Sequence, residues 1–137
     1  MARTERKDVS APEQAQSEAA RFVELFRKLW AEPNPERFAE LFHPDGAFRH
    51  PGGRTVARDQ NAEYWRRVLA RMPDLKLRPT AWASSGDRVF IEWSASATLA
   101  GRRIEWAGVT RFVLRGDRAV EGAAYFDPAQ LQAESNR

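Results

Sequence analysis

GRRIEWAGVTRFVLRGDRAVEGAAYFD, residues 101–127, reads as two long strands joined by a tight turn at Gly116-Asp117. Ile104, Trp106, Gly108, Thr110, Phe112 and Leu114 recur at every second position on one face. Arg103, Glu105 and Arg111 occupy the other. The same period of two runs upstream through 88–99 and 76–84, broken at Ala100-Gly101 and at Ser85-Gly86-Asp87. A two-residue turn at Ala100-Gly101 makes cross-strand partners sum to 201, so Ala95 faces Trp106, Trp93 faces Gly108 and Ile91 faces Thr110. The next hairpin stays in step if partners sum to 234, pairing Phe112 with Gly122, Thr110 with Ala124 and Gly108 with Phe126. Each tryptophan then sits against a small residue, as a packed or cavity-forming face requires. In this register Val120 joins the inner face, and a bulge would flip part of the sorting.

Ahead of the strands the period is helical. Residues 1–11 are polar and aperiodic, the composition of a disordered tail, and 12–137 form one domain. After Pro12, Ala15, Ala19, Phe22, Phe26, Leu29 and Trp30 recur at three- and four-residue steps. Pro33-Asn34-Pro35 stops that helix and, with Asn34 as N-cap, starts a short second one carrying Phe38, Leu41 and Phe42. His43-Pro44-Asp45-Gly46 reads as a turn, 47–50 as a short strand ended by Pro51-Gly52-Gly53, and 54–57 as its returning partner. A third helix, capped by Asp59, buries Ala62, Trp65, Leu69 and Met72 before Pro73 ends it. Asp127-Pro128 opens a last, frayed helix to about Glu134. Three helices and then an antiparallel meander predict an α+β fold, with the helices covering one face of the sheet.

Composition removes several classes of function. With no cysteine there is no disulfide framework, zinc ribbon, thiol nucleophile or iron–sulfur site. No run of about 18 apolar residues would span a membrane, and the N-terminal stretch lacks a signal peptide's apolar core, so the expected location is the cytoplasm. The isoelectric point near 9.8 comes from a net charge of only +3. Its basic residues interleave with acidic ones instead of forming a stripe, which argues against nucleic acid. No phosphate loop, nucleophile elbow or dinucleotide fingerprint occurs, so no nucleotide cofactor is implied. His43 and His50, with Asp45 between them, do not supply the three or four convergent ligands a metal needs.

LFHPDGAFRHPGG (Leu41 to Gly53), the third helix, and Gly101 to Asp127 together resemble the nuclear transport factor 2-like superfamily, nearest its SnoaL-like and ketosteroid-isomerase-like branch. The resemblance covers about residues 15–134. It implies a cone-shaped curved sheet wrapped around a helix, an apolar pocket between them, and a homodimer. In the isomerase branch a catalytic aspartate ends the strand after the second helix, directly before proline; the matching residue here is His50, in Arg49-His50-Pro51. The branch's oxyanion-binding tyrosine matches Phe26, and its protonated aspartate matches Thr110. That replacement removes the two-donor oxyanion hole and argues against ketosteroid isomerisation. The inner face carries no carboxylate, which argues equally against the Asp-Arg-Asp set of the superfamily's epoxide hydrolases.

Two function classes are compatible with these residues. The first is a cofactor-free enzyme of isomerase, cyclase, lyase or hydratase type acting on a small apolar molecule. His50 is its general acid/base and Thr110 orients the reacting oxygen or a water. Phe26, Tyr64, Trp65, Trp93, Trp106 and Phe126 bind the substrate. The second is a non-catalytic carrier, sensor or dimerisation module. A void above about 300 Å³ with His50 on its wall is the expectation of the first. A carrier is expected to show a closed apolar cavity with His50 turned away or bonded only to backbone, and a dimerisation module a space closed by Trp93, Trp106 and Phe126 with a broad contact on the outer sheet face. Phe90, Val109 and Val113 on the outer sheet face mark the expected dimer contact.

Overall fold

The structure, a computed structural model, describes residues 10–129 and 131. The tail assigned to 1–11 and the helix assigned to the C-terminus therefore lie largely outside the described residues. Helix α1 spans Ala11–Ala31. Its start is a capping box: Ser10 Oγ accepts from the Glu13 amide at 3.2 Å, and Glu13 accepts from the Ser10 amide at 3.0 Å. Of the stripe read from the spacing, Ala19, Phe22, Phe26, Leu29 and Trp30 are buried and Ala15 is half-buried, and Val23 joins the buried face. Asn34 caps the next turn through Oδ1, 3.0 Å from the Glu36 amide. The segment after it is a four-residue 3₁₀ turn, Phe38–Leu41, and not a second α-helix. Between the Asn34 cap and the strand that begins at Phe42 too little chain remains for a nucleus of α hydrogen bonds.

Helix α2 spans Asn61–Arg71. It begins after a 3₁₀ turn, Arg58–Gln60, so Asp59 lies inside that turn and does not cap the helix. Arg58 Nε donates to the carbonyls of Ala39 (3.1 Å) and Phe42 (3.0 Å), pinning the entrance of α2 to the preceding turn. Among the described residues no helix is long and apolar enough to cross a membrane.

Six strands, β1 (Phe42–Arg49), β2 (Thr55–Ala57), β3 (Lys76–Ser85), β4 (Arg88–Leu99), β5 (Arg102–Arg115) and β6 (Arg118–Tyr125), form one curved sheet in the order β2-β1-β6-β5-β4-β3. The α+β class stands, and the sheet is mixed, because β1 returns beside β6 in parallel. The β4–β5 register is the predicted one, with Ala95 opposite Trp106, Trp93 opposite Gly108 and Ile91 opposite Thr110. In β5–β6, Phe112 faces Gly122 and Thr110 faces Ala124, but the register slips past Val113 so that Leu114 meets Ala119. Val120 is the extra residue of that bulge, and Ala119, fully buried, takes the inner position assigned to Val120. A larger irregularity lies between Phe42 and Ala47, so His43-Pro44-Asp45-Gly46 is an interruption within β1 and not a turn before it. A third falls between Pro79 and Ala81 on the edge strand β3, where a proline without an N–H is tolerated. These interruptions bend the sheet around α1.

The core is an aromatic cluster centred on Phe112, whose ring meets Phe22 edge-on at 4.7 Å and lies about 6 Å from Phe26, Phe42 and Phe48. Gly108 and Gly122 serve this packing. A Cβ on Gly122 would stand 2.7 Å from the Phe48 ring, and one on Gly108 would stand 2.6 Å from the Tyr125 carbonyl and 2.8 Å from Trp93. The two glycines thus make room for rings and leave no void themselves. Gly108→Ala is expected to cost about 1–3 kcal/mol, because the nearest obstacle is backbone that cannot rotate away. A lowered urea midpoint with an unchanged m-value is the measurement.

Candidate active site

Between α2, the end of β1 and the inner face of β4–β6 lies a cavity of about 210 Å³. Its wall is largely aromatic: Phe26 and Trp30 from α1, Trp65 from α2, and Trp93, Trp106 and Phe126 from the sheet side. The void is smaller than the expected 300 Å³, yet larger than the ~150 Å³ in which a dry apolar cavity holds benzene. Trp93 and Phe126 meet edge-on at 5.6 Å and close only part of the space. Ala124 is the small inner-face residue on its wall, and Gly108 and Gly122 do not line it.

His50 stands on the cavity wall where β1 ends. Its backbone is spent on the Pro51-Gly52-Gly53 turn: the amide donates to the Arg54 carbonyl at 2.8 Å, and the carbonyl accepts from Gly53 at 3.1 Å. The imidazole does not join that loop. It stacks on Tyr64 at 4.0 Å, meets Phe48 edge-on at 4.6 Å, and shares a 3.0 Å hydrogen bond between Nδ1 and the Tyr64 hydroxyl. Burial among these rings, reinforced by the positive Arg54, pushes the His50 pKa down to about 4. Burial also raises the Tyr64 pKa, against the opposing pull of Arg54, whose guanidinium lies 5.6 Å from the ring centre. Both groups are neutral at pH 7. When Nδ1–H donates to the Tyr64 oxygen, Nε2 carries a free lone pair; when the tyrosine donates, Nε2 carries the proton.

Thr110 is buried on β5, and its Oγ1 accepts from the indole N–H of Trp93 at 2.9 Å. That bond satisfies the tryptophan and leaves the threonine's own hydrogen to donate. The eight residues singled out from the sequence, from Phe26 to Phe126, all line this one cavity. The sequence reading missed Asn61, which is 2% exposed, lines the same cavity, and has no protein partner for Oδ1 among the described residues. A sequence signal was present: a polar residue at the buried edge of an otherwise apolar helical face. His43 sits elsewhere, its Nε2–H donating to the Arg115 carbonyl at 2.6 Å. Among the described residues no three His, Asp or Glu side chains converge as metal ligands would.

Solved structures share the architecture at low identity. A protein with a ketosteroid-isomerase-like fold from Catenulispora acidiphila, in complex with trimethylamine, superposes with a TM-score of 0.75 at 23% identity, over 84% of this chain and 92% of that one. TerC, crystallised with polyporic acid, gives 0.77 at 19% identity, over 88% and 99%. IdmH from Streptomyces antibioticus, a candidate polyketide cyclase, gives 0.72 at 20%, over 87% and 99%. No curated protein matches the chain. The family model of the SnoaL-like domain matches residues 20–122, from the middle of α1 to β6. With three-quarters of its length matched and the sheet, helix and cavity in place, this chain belongs to the SnoaL-like domain family.

Proposed function

We propose that this protein is a cofactor-free enzyme that moves a proton on a small, largely apolar molecule, with His50 as the base. The observation that carries the reading is the placement of a neutral imidazole on the wall of an aromatic cavity, bonded to Tyr64 and not to the backbone. A base whose conjugate acid has a pKa near 4 is fully available at neutral pH but weak, so the substrate must carry an activated proton. Thr110 supplies a donor for the oxygen on which charge develops. Cyclase- and isomerase-type steps on β-dicarbonyls or small enones meet those requirements, in keeping with the polyketide-cyclase description of structural relatives.

The test is deuterium exchange at the α-carbon of small cyclic enones and β-dicarbonyls, monitored by NMR, with wild type and His50→Ala side by side. Exchange that depends on His50 supports the enzyme. Saturable binding without exchange identifies a carrier instead.

The outer sheet face is the place for a homodimer contact: Phe90 and Tyr125 there are 39% and 49% exposed, beside Val109 and Val113. Light scattering is expected to give twice the 15.6 kDa chain mass for wild type, and the single-chain mass for Phe90→Lys.

A further inference from the structure

Asn61 is the first residue of α2, with helical backbone angles (φ −65°, ψ −44°), so its side chain is not the cap of its own helix. Arg58, bonded to the carbonyls of Ala39 and Phe42, ties the start of α2 to the preceding 3₁₀ turn and β1. The residue is 2% exposed, and its Oδ1 is buried without a protein partner among the described residues. Around it the cavity wall is aromatic and aliphatic. A buried amide oxygen left unmatched is a net cost to folding, whereas a leucine, of the same branched shape, would leave no polar atom unmatched at such a position. Native structures rarely retain such a group without a use for it.

We infer that Asn61 is the specificity-determining residue of the cavity, its Oδ1 accepting a hydrogen bond from a hydroxyl or N–H on a small cyclic ligand. This rests on the cavity being the ligand site. The volume sets the scale: about 210 Å³ holds a substituted six-membered ring, benzene itself occupying a dry cavity of ~150 Å³. The polar inventory sets the substituents. Thr110 offers a hydrogen to a ligand oxygen, the His50–Tyr64 pair faces the reacting position, and Asn61 asks for a donor. The ligand class is therefore a small cyclic carbonyl compound or phenol bearing a hydroxyl or amino group.

Phenol and toluene are near-isosteric probes that differ in the donor, and quenching of the cavity tryptophans reports their binding. Phenol loses more hydration on entering an apolar site, so a cavity without a waiting acceptor favours toluene. Wild type is expected to bind phenol more tightly than toluene. Asn61→Leu is expected to weaken phenol about tenfold, the scale of one buried hydrogen bond, and to leave toluene unchanged or tighter. In His50→Phe, which removes the imidazole acceptor, the phenol preference is expected to persist. Equal binding of the two probes by wild type would overturn the Asn61 assignment while leaving the cavity a ligand site. So would a preference lost in His50→Phe and retained in Asn61→Leu. Failure of wild type to bind either probe would overturn both the assignment and the ligand-site reading beneath it. The wild-type comparison stands even if Asn61→Leu does not fold.

Discussion

His50→Ala is expected to lower kcat/KM for proton exchange by about 100- to 10,000-fold, the usual contribution of one positioned general base. Because the imidazole sits at the end of β1 and not in the Phe112 cluster, the loss should fall on kcat with the fold retained. Tyr64→Phe makes a graded companion. It preserves the ring stacked 4.0 Å from His50 but removes the hydroxyl that bonds Nδ1, so the base loses its orienting partner and not its lone pair. A smaller loss than that of His50→Ala is expected. Equal losses would mean that the tyrosine itself contacts the reacting atoms.

The pH dependence separates a buried base from an ordinary surface histidine. With its pKa pushed down to about 4, His50 stays neutral and competent through the whole neutral range, so the acid limb of the kcat/KM profile should fall near pH 4 and not near 6.5. Stability is linked to the same group. Between about pH 6.5 and 4 the unfolded chain binds a proton that the folded chain does not, so stability rises with pH there and is lost as pH falls. Above 6.5 the contribution is complete, and below 4 no more is lost; its size is at most about 3 kcal/mol. The chain has two histidines, so an NMR titration compared with His43→Gln assigns the value directly. A His50 midpoint at 6.5 would remove the physical basis of the proposed base.

Phe112→Ala carries the largest expected cost in stability, about 3–5 kcal/mol. The ring is 2% exposed and meets four other phenylalanines, from α1 and β1, so both elements lose their common contact on the sheet. Against a typical stability of about 5–15 kcal/mol, that loss brings the domain close to unfolding at room temperature. Urea denaturation should show a large fall in midpoint, and Phe112→Leu, which keeps most of the volume, a much smaller one. A cost below about 1 kcal/mol would mean that the cluster collapses to fill the gap. Since Phe112 also lines the cavity, the alanine variant should accept a larger ligand if it folds.

Much of this was legible in the residues. The period of two, with two-residue turns at 100–101 and 116–117, determined four strands and the β4–β5 register residue by residue, because a one-residue slip would turn every buried side chain outward. The helical stripes of α1 and α2 were equally local, and the match of Arg49-His50-Pro51 to the family's pattern singled out the histidine on the wall.

Other features exist only once the chain is packed. That Val120 is squeezed out and Ala119 turned inward depends on how β6 must bend, which alternation cannot express. That β1 lies parallel to β6 depends on a pairing between segments some seventy residues apart in the chain. Among the small residues of the inner face, the space beside Gly108 and Gly122 is taken by neighbouring rings and backbone, while Ala124 stands on the cavity wall. Asn61 shows in one dimension only as a polar residue at the edge of an apolar helical face: its unmatched oxygen becomes a demand on a ligand only when the strand ends and α2 have buried it together. Periods, turns and hairpin pairing could be read from the residues alone, because they are properties of neighbours along the chain. The cavity's size, the depressed basicity of His50 and the waiting acceptor of Asn61 are properties of neighbours in space, and only packing creates them.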